Sequence, residues 1–140
     1  MIRKLRETDI DRVAEIWLDT NLKAHDFVAP EYWKSNYEMV KGLLSQAEVY
    51  VYENENKIQG FIGLNDDYIE GIFVTDTAQS QGIGKQLLDF VKEWEAELHL
   101  SVYQKNRRAV CFYQREGFET EREGIDEDTG EKEFEMVWRK

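Results

Sequence analysis

Gly71-Ile72-Phe73-Val74, followed across a polar loop by Gln79-Ser80-Gln81-Gly82-Ile83-Gly84-Lys85, is the stretch that decides how this chain is read. An apolar strand ends, the loop turns, and two glycines open an apolar helix. Such a junction exposes unpaired backbone N–H groups at the positive end of a helix, where a pyrophosphate can be cradled. Glycine lets that backbone approach a ligand closely, and Lys85 would add charge beside the phosphates. Two glycines can also serve a tight turn and nothing more. Two nucleotide-binding readings fit poorly. A Rossmann fingerprint wants a third glycine or alanine where Leu87 stands, and a strand that ends closer to the glycines. A Walker loop wants Ser or Thr after Gly84-Lys85, where Gln86 stands.

Upstream of this junction the pattern has period two. Val49-Tyr50-Val51-Tyr52, Ile58 to Leu64 and Tyr68 to Val74 read as three strands, separated by polar turns at 53–56 and 65–67. Before them, Ile2 to Leu5 reads as a first strand, and Thr8 as the N-cap of a helix with the stripe Ile10, Val13, Ile16 and Trp17. Pro30 suits the first turn of a second helix carrying Tyr32, Trp33, Tyr37, Val40, Leu43 and Leu44. Downstream, Gly82 to roughly Glu97 reads as a helix, Leu98 to Tyr103 as a strand, and Asn106 to Glu116 as a helix stopped by Gly117. Phe118 to Glu123 and Lys132 to Trp138 close the chain as strands. The order is β-α-α-β-β-β-α-β-α-β-β. That is an α/β fold with a mixed, mainly antiparallel central sheet flanked by helices, and residues 1–140 form a single domain.

Composition narrows the function classes. The 140 residues, 41% hydrophobic and 13% aromatic, suffice for one core. No apolar run approaches the ~20 residues of a membrane span, and the charged start, Met1 to Arg6, lacks the apolar stretch of a signal peptide. One cysteine, Cys111, excludes an internal disulfide, and with two histidines no metal site is expected. Cys111 reads as buried filler beside Phe112. A cytoplasmic enzyme or binding module is expected, with no membrane partner. The net charge of −11 would repel phosphate backbones, so no nucleic-acid partner is expected. The same charge could attract a cationic substrate, although much of it serves solubility.

Two motifs together resemble the GNAT superfamily of N-acetyltransferases. Their acyl-CoA loop, Arg/Gln-x-x-Gly-x-Gly/Ala, is matched by Gln79-Ser80-Gln81-Gly82-Ile83-Gly84, and the strand ahead of it by Ile72-Phe73-Val74. Their later Asn-x-x-Ala…Phe/Leu-Tyr-x-x-x-Gly-Phe is matched by Asn106-Arg107-Arg108-Ala109 and by Phe112-Tyr113 through Gly117-Phe118. The element order matches as well, so the resemblance spans essentially the whole chain. It implies acetyl-CoA as cosubstrate, without a metal, and transfer of the acetyl group to a primary amine of a small molecule or peptide. Ile72, Phe73 and Val74 would pair with the pantetheine arm. Gln79, Gln81, Gly82, Ile83, Gly84 and Lys85 would form the pyrophosphate loop, and Asn106 would contact the CoA arm. Tyr113 would sit beside the thioester sulfur as general acid. Its seven-residue separation from Asn106, close to two helical turns, puts both on one face. Among look-alikes a homodimer is common. Ser101 stands where the ribosomal-protein acetyltransferases of the superfamily carry a glutamate, which argues against their protein N-terminal substrates.

The chemistry needs a neutral amine, a polarised thioester and a protonated leaving thiol. A backbone N–H near Phe73 or Val74 would stabilise the oxyanion. A phenol, ordinary pKa about 10, can protonate a thiolate whose thiol has a pKa of about 8.5. For the base, Glu70 could lead a water to the amine, with Asp66, Asp67 and His25 as rivals. The acceptor wall is expected from His25, Asp26, Phe27, Trp33 and Tyr37, whose acids and aromatics suit a cationic or zwitterionic amine. A CoA-binding sensor or interaction domain without turnover is the alternative, and modification of an amine carried on a nucleic acid is a third reading that the charge disfavours.

Overall fold

The strand meander after the first helices forms as the alternation requires. The computed structural model describes residues 1–140. β1 (Ile2–Lys4) is followed by the helices α1 (Ile10–Ala24), α2 (Pro30–Ser35) and α3 (Tyr37–Leu44). Then come β2 (Glu48–Asn54), β3 (Lys57–Asn65), β4 (Tyr68–Val74), α4 (Ile83–Lys92), β5 (Glu97–Tyr103), α5 (Arg107–Arg115), β6 (Glu119–Ile125) and β7 (Lys132–Arg139). All seven strands join one sheet in the order β1-β2-β3-β4-β5-β7-β6. Every neighbouring pair is antiparallel except β4 and β5, which run parallel. No helix is long and apolar enough to cross a membrane.

Each face of the sheet carries its own core. On one, α4 buries Ile83, Leu87, Leu88 and Val91 against Ile62, Ile69, Leu98 and Leu100, joined by Tyr113 and Phe118 at the α5 end. Burying one such aliphatic side chain contributes about 1.5–3 kcal/mol. On the other, α1 and α3 pack Val13, Ile16 and Leu44 on Val49, Val51 and Phe61.

Four local expectations are corrected. Thr8 does not cap α1. Residues Glu7–Asp9 make a 3-10 turn, and Asp9 stands at the cap, its carboxylate taken by Arg3 (2.7 Å) and by the Arg6 N–H (2.7 Å). The second helix breaks at Asn36, whose side-chain amide donates back to Tyr32 O (2.7 Å), the local competition that makes Asn a poor interior helix residue. α4 stops at Lys92 rather than near Glu97, because the chain tightens through a Trp94 N–H to Val91 O bond and then enters β5. Cys111 is exposed on the outer side of α5 rather than buried.

One register shift positions everything that follows. Gly63 pairs with Gly71 but Leu64 pairs with Ile69, so Glu70 is an extra residue in β4, a β-bulge. Pairing with β5 is confined to Tyr68↔His99 and Ile69↔Leu100. A bulge bends its strand, and β4 parts from β5 where the bulge occurs. Just beyond it, the Phe73 ring folds along the strand over Gly71 and stacks on Phe61 (4.8 Å between centroids). A Cβ at Gly71 would lie 2.4 Å from that ring. Gly71→Ala is therefore expected to displace Phe73 and destabilise the protein by about 1–3 kcal/mol, read as a lower urea midpoint at unchanged m-value.

Candidate active site

The parted strands leave open backbone on one edge of β4. The Thr75 N–H donates to Gln59 O (2.9 Å), opposite it across β3. Antiparallel ladders alternate, so Phe73 and Gly71 turn their polar groups toward β3, while Ile72 and Val74 turn theirs toward β5 and the gap. The Phe73 carbonyl does lie against Gly60 of β3. Of the three residues offered by the sequence, Ile72 and Val74 thus present backbone to the cleft, and Phe73 serves the sheet and the second core.

At the mouth of the gap the loop from Thr75 to Gly82 leads into α4. Ser80 (φ 66°) and Gly82 (φ 79°) both adopt left-handed backbone. A Cβ at Gly82 would meet nothing within 4 Å, so this glycine is required by conformation and leaves the space before the helix clear. Gly84 differs: its Cβ would lie 3.4 Å from Phe112, so it also lets α4 and α5 approach. Gln79 braces the loop. Its amide donates to Val74 O (3.1 Å), and its carbonyl accepts from Arg108 (2.6 Å), which also reaches Ser80 Oγ (3.1 Å). Gln81 bonds back to Thr77 O (3.4 Å). Lys85 points down the helix, to Asp89 (3.1 Å) and Glu116 (3.1 Å). The N–H groups that begin α4 are left facing the cleft, as at any helix start.

Tyr113 of α5 belongs to the core on the α4 side of the sheet. It is buried, packed on Phe112 and Phe118, and burial pushes its phenol well above the ordinary value, so it stays protonated at neutral pH. The phenol of Tyr68, the first residue of β4, is its titratable neighbour and is likewise raised by burial.

His25, Phe27 and Trp33 come together with Tyr103, the last residue of β5. His25 stacks on Trp33 (5.5 Å) and meets Tyr103 edge-on (4.9 Å), and Phe27 packs edge-on against both His25 (5.7 Å) and Tyr103 (5.5 Å). The Trp33 Nε1–H is buried without a partner. The tip of the β6–β7 hairpin closes on this wall. Tyr103 Oη donates to Asp126 (2.6 Å), and Tyr32 Oη approaches Asp128 (3.5 Å). Tyr37 does not join the wall; it packs with the core beneath α1 and α3, under the Lys41 ammonium. Asp66 and Asp67 sit in the β3–β4 turn at the closed end of the gap, where the Asp67 carbonyl accepts from the His99 N–H (2.9 Å). Asp67, Glu97 and His99 cluster there, but His99 already bonds Glu97 (2.7 Å) and Arg139 holds the other Glu97 oxygen (2.8 Å). Asp26 and Glu70 are exposed.

His25 is locked by a chain of hydrogen bonds. The Asn21 amide donates to Trp17 O (2.9 Å), so its carbonyl faces His25 Nδ1 (2.8 Å) and that nitrogen carries the proton. The Asn106 carbonyl accepts from the Ala109 N–H (3.3 Å), capping α5, so its amide faces His25 Nε2 (3.1 Å). Both Asn106 side-chain atoms are thus engaged within the protein, as are both imidazole nitrogens. Burial pushes the His25 pKa down to about 4, consistent with a neutral ring. Sequence reasoning missed Asn21, Tyr68, Tyr103, Arg108 and Asp126 as parts of the site, since only the folded chain brings them to the cleft.

A family profile described as Acetyltransferase (GNAT) domain matches residues 45–120. This chain belongs to the GNAT acetyltransferase family, and it is an N-acetyltransferase. The enzyme is 33% identical over 120 residues to peptidyl-lysine N-acetyltransferase YiaC of Escherichia coli (strain K12), covering 84% of this chain and 82% of that one. It is 28% identical over 128 residues to peptidyl-lysine N-acetyltransferase YjaB of the same strain, covering 90% and 87%. Its fold matches the solution structure of apo-form YjaB from Escherichia coli at a TM-score of 0.88, with 24% identity over 99% of this chain and 96% of that one. It also matches PaiA N-acetyltransferase from Thermoplasma acidophilum in complex with coenzyme A, at 0.81, with 20% identity over 100% and 98%.

The neutral His25 of this GNAT enzyme carries a stability signature. Its folded pKa lies below the ordinary 6.5 of the unfolded chain, so the unfolded state takes up more protons between the two values. Stability from this residue is complete above pH 6.5 and is lost as pH falls toward 4. Urea unfolding of the wild type and of His25→Gln between pH 7 and 4.5 should show a steeper acid decline in the wild type, by up to about 3 kcal/mol. Parallel declines would mean that His25 is not held neutral.

Proposed function

We propose that this GNAT enzyme transfers the acetyl group of acetyl-CoA to the ε-amino group of a peptide or protein lysine. The observation that carries the reading is the opening between β4 and β5. It has the outward-turned Ile72 and Val74 backbone along one side, the Val74 carbonyl braced by Gln79, a glycine-rich helix start at its mouth and the Tyr113 phenol buried in the core on the α4 side of the sheet. A pantetheine arm can add to the free β4 edge as an extended strand would. The pyrophosphate then falls at the N–H groups from Gln81 to Lys85, with Lys85 free to leave its exposed ion pairs. The acceptor approaches from the opposite face, between the His25–Phe27–Trp33–Tyr103 wall and the acids Asp126 and Asp128. Aromatic faces and carboxylates suit a lysine ammonium. The names of the YiaC and YjaB relatives support the same acceptor class.

The chemistry is direct attack. The amine nitrogen bonds to the thioester carbonyl carbon, and an N–H of the β4 edge stabilises the oxyanion. The C–S bond then breaks, and Tyr113 protonates the leaving thiolate. A carboxylate on the acceptor face takes the ammonium proton; Glu70, at the bulge, is the candidate offered by the sequence.

Two outcomes follow. Tyr113→Phe keeps the ring and removes the proton donor, so kcat on a lysine peptide should fall by about 10–10³-fold while acetyl-CoA affinity barely changes; an unchanged kcat with chemistry rate-limiting would return Tyr113 to a packing role. Acetyl-CoA should raise the Tm of the wild type. Gly82→Val, which forces a branched side chain into left-handed backbone at the phosphate loop, should abolish that shift. A wild type that binds acetyl-CoA yet acetylates no lysine peptide would make the protein a coenzyme sensor.

A further inference from the structure

Glu131, Glu133 and Glu135 alternate into and along β7. The outer two are neutralised, Glu131 by Lys105 (3.1 Å) and Glu135 by Arg122 (2.6 Å). Glu133, between them, is half-buried and has no ion pair and no side-chain hydrogen bond within the chain. It lies directly opposite Tyr103 in the β5–β7 ladder. Leu98, Leu100 and Val102 of β5 face the α4–α5 core, so Ser101 and Tyr103, and Glu133 with them, occupy the other face. α1 packs over β3 and β4, leaving this part of the sheet half-buried on the acceptor side. Gly124 on β6 lies opposite Glu133, and a Cβ there would sit nearest Glu135 Oε2 (3.3 Å), with Glu133 Oε1 at 4.0 Å.

We infer that Glu133 is the general base that removes the proton from the acceptor ammonium, directly or through one water. The inference rests on the acetyl-transfer reading. Glu70 is exposed, so a proton delivered there is in contact with bulk water, whereas Glu133 lies beside the aromatic wall in which a lysine side chain would be held. Burial also raises the Glu133 carboxyl above the usual carboxylate range, and the charges of Asp126 and Glu135 push the same way. The other groups facing it are Tyr103 on β5 and Tyr68 on β4; Glu123 on β6 pairs with Phe134 and lies on the opposite face of the sheet. Lys105 and Arg122, the nearby cations, are committed to the flanking glutamates. The ammonium gives one proton to Glu133, and the neutral nitrogen attacks. As the tetrahedral adduct collapses, Tyr113 gives its proton to the sulfur and recovers one from the nitrogen. Glu133 releases its proton to solvent, leaving an amide, a free thiol and one proton in solution.

The test is acetylation of a lysine peptide from acetyl-CoA between pH 5.5 and 9 by the wild type, E133Q, E133D and E70Q. Acetyl-CoA affinity and Tm are measured alongside to establish that each variant is folded. E133Q should lose about 10²-fold in kcat, with acetyl-CoA affinity within about twofold. The acid limb of the wild-type kcat/KM profile for peptide, titrating above the usual carboxylate range, should vanish in E133Q and survive, shifted, in E133D. A folded E133Q with near-wild-type kcat, or an acid limb retained in E133Q and lost in E70Q, overturns the assignment alone. A wild type that acetylates no lysine peptide overturns the acetyl-transfer reading and this assignment with it.

Discussion

The structure depends on two parallel strands that begin to pair and then stop. β4 and β5 share two residue pairs, and the extra residue Glu70 then bends β4 away. Interrupting a ladder inside a sheet is costly, because buried backbone donors and acceptors need partners. Here Gln79 takes the Val74 carbonyl, and the remaining outward-turned groups of Ile72 and Val74 line an opening that water or an extended ligand can fill. The other elements surround that opening: α4 starts at its mouth, α5 holds Tyr113 in the core on the α4 side, and the His25–Phe27–Trp33–Tyr103 cluster forms on the other face. Without the bulge, continued pairing would close the cleft.

The wall and the cofactor side are joined by polar contacts rather than by a shared core. Asn21, His25 and Asn106 link the end of α1 to the start of α5, residues 81 apart in sequence between His25 and Asn106, with each donor matched to an acceptor. Arg108 reaches from the first turn of α5 to Gln79 and Ser80, so the same helix start braces the phosphate loop. In the proposed reading, a protein of net charge −11 holds a pyrophosphate in this way. The local donors are backbone N–H groups and a helix dipole, while the acids gather on the β6–β7 side, where a cation is expected to enter.

Much of the fold was legible in the sequence because local signals agreed. Period-two alternation in 49–74, helical stripes in α1 and α4, and Gly117 after α5 each point to the element that forms. The failures share a physical cause. Thr8 lost the α1 cap because Arg3, on β1, draws Asp9 inward. The break at Asn36 and the early end of α4 follow from single backbone and side-chain hydrogen bonds that periodicity does not weigh. Tyr37 has the helical spacing of Trp33, yet the break rotates it away from the wall and into the second core.

The sequence by itself determined the element order, the glycine-opened helix after β4 and the family motifs, since these depend on neighbours a few residues apart. It also placed His25, Phe27 and Trp33 in one region, and Tyr113 with Asn106 on one helix. Only the tertiary structure decided which of these groups are free to act. Asn106 and His25 are spent on each other, and Phe73 is turned toward β3 by ladder alternation. Tyr103 and Glu133, ordinary alternating strand residues in the sequence, come to lie side by side on the sheet face away from α4 through the pairing of β5 with β7. Availability is a property of pairing across long sequence separations, and local pattern carries no information about which hydrogen bonds distant strands will leave unmade.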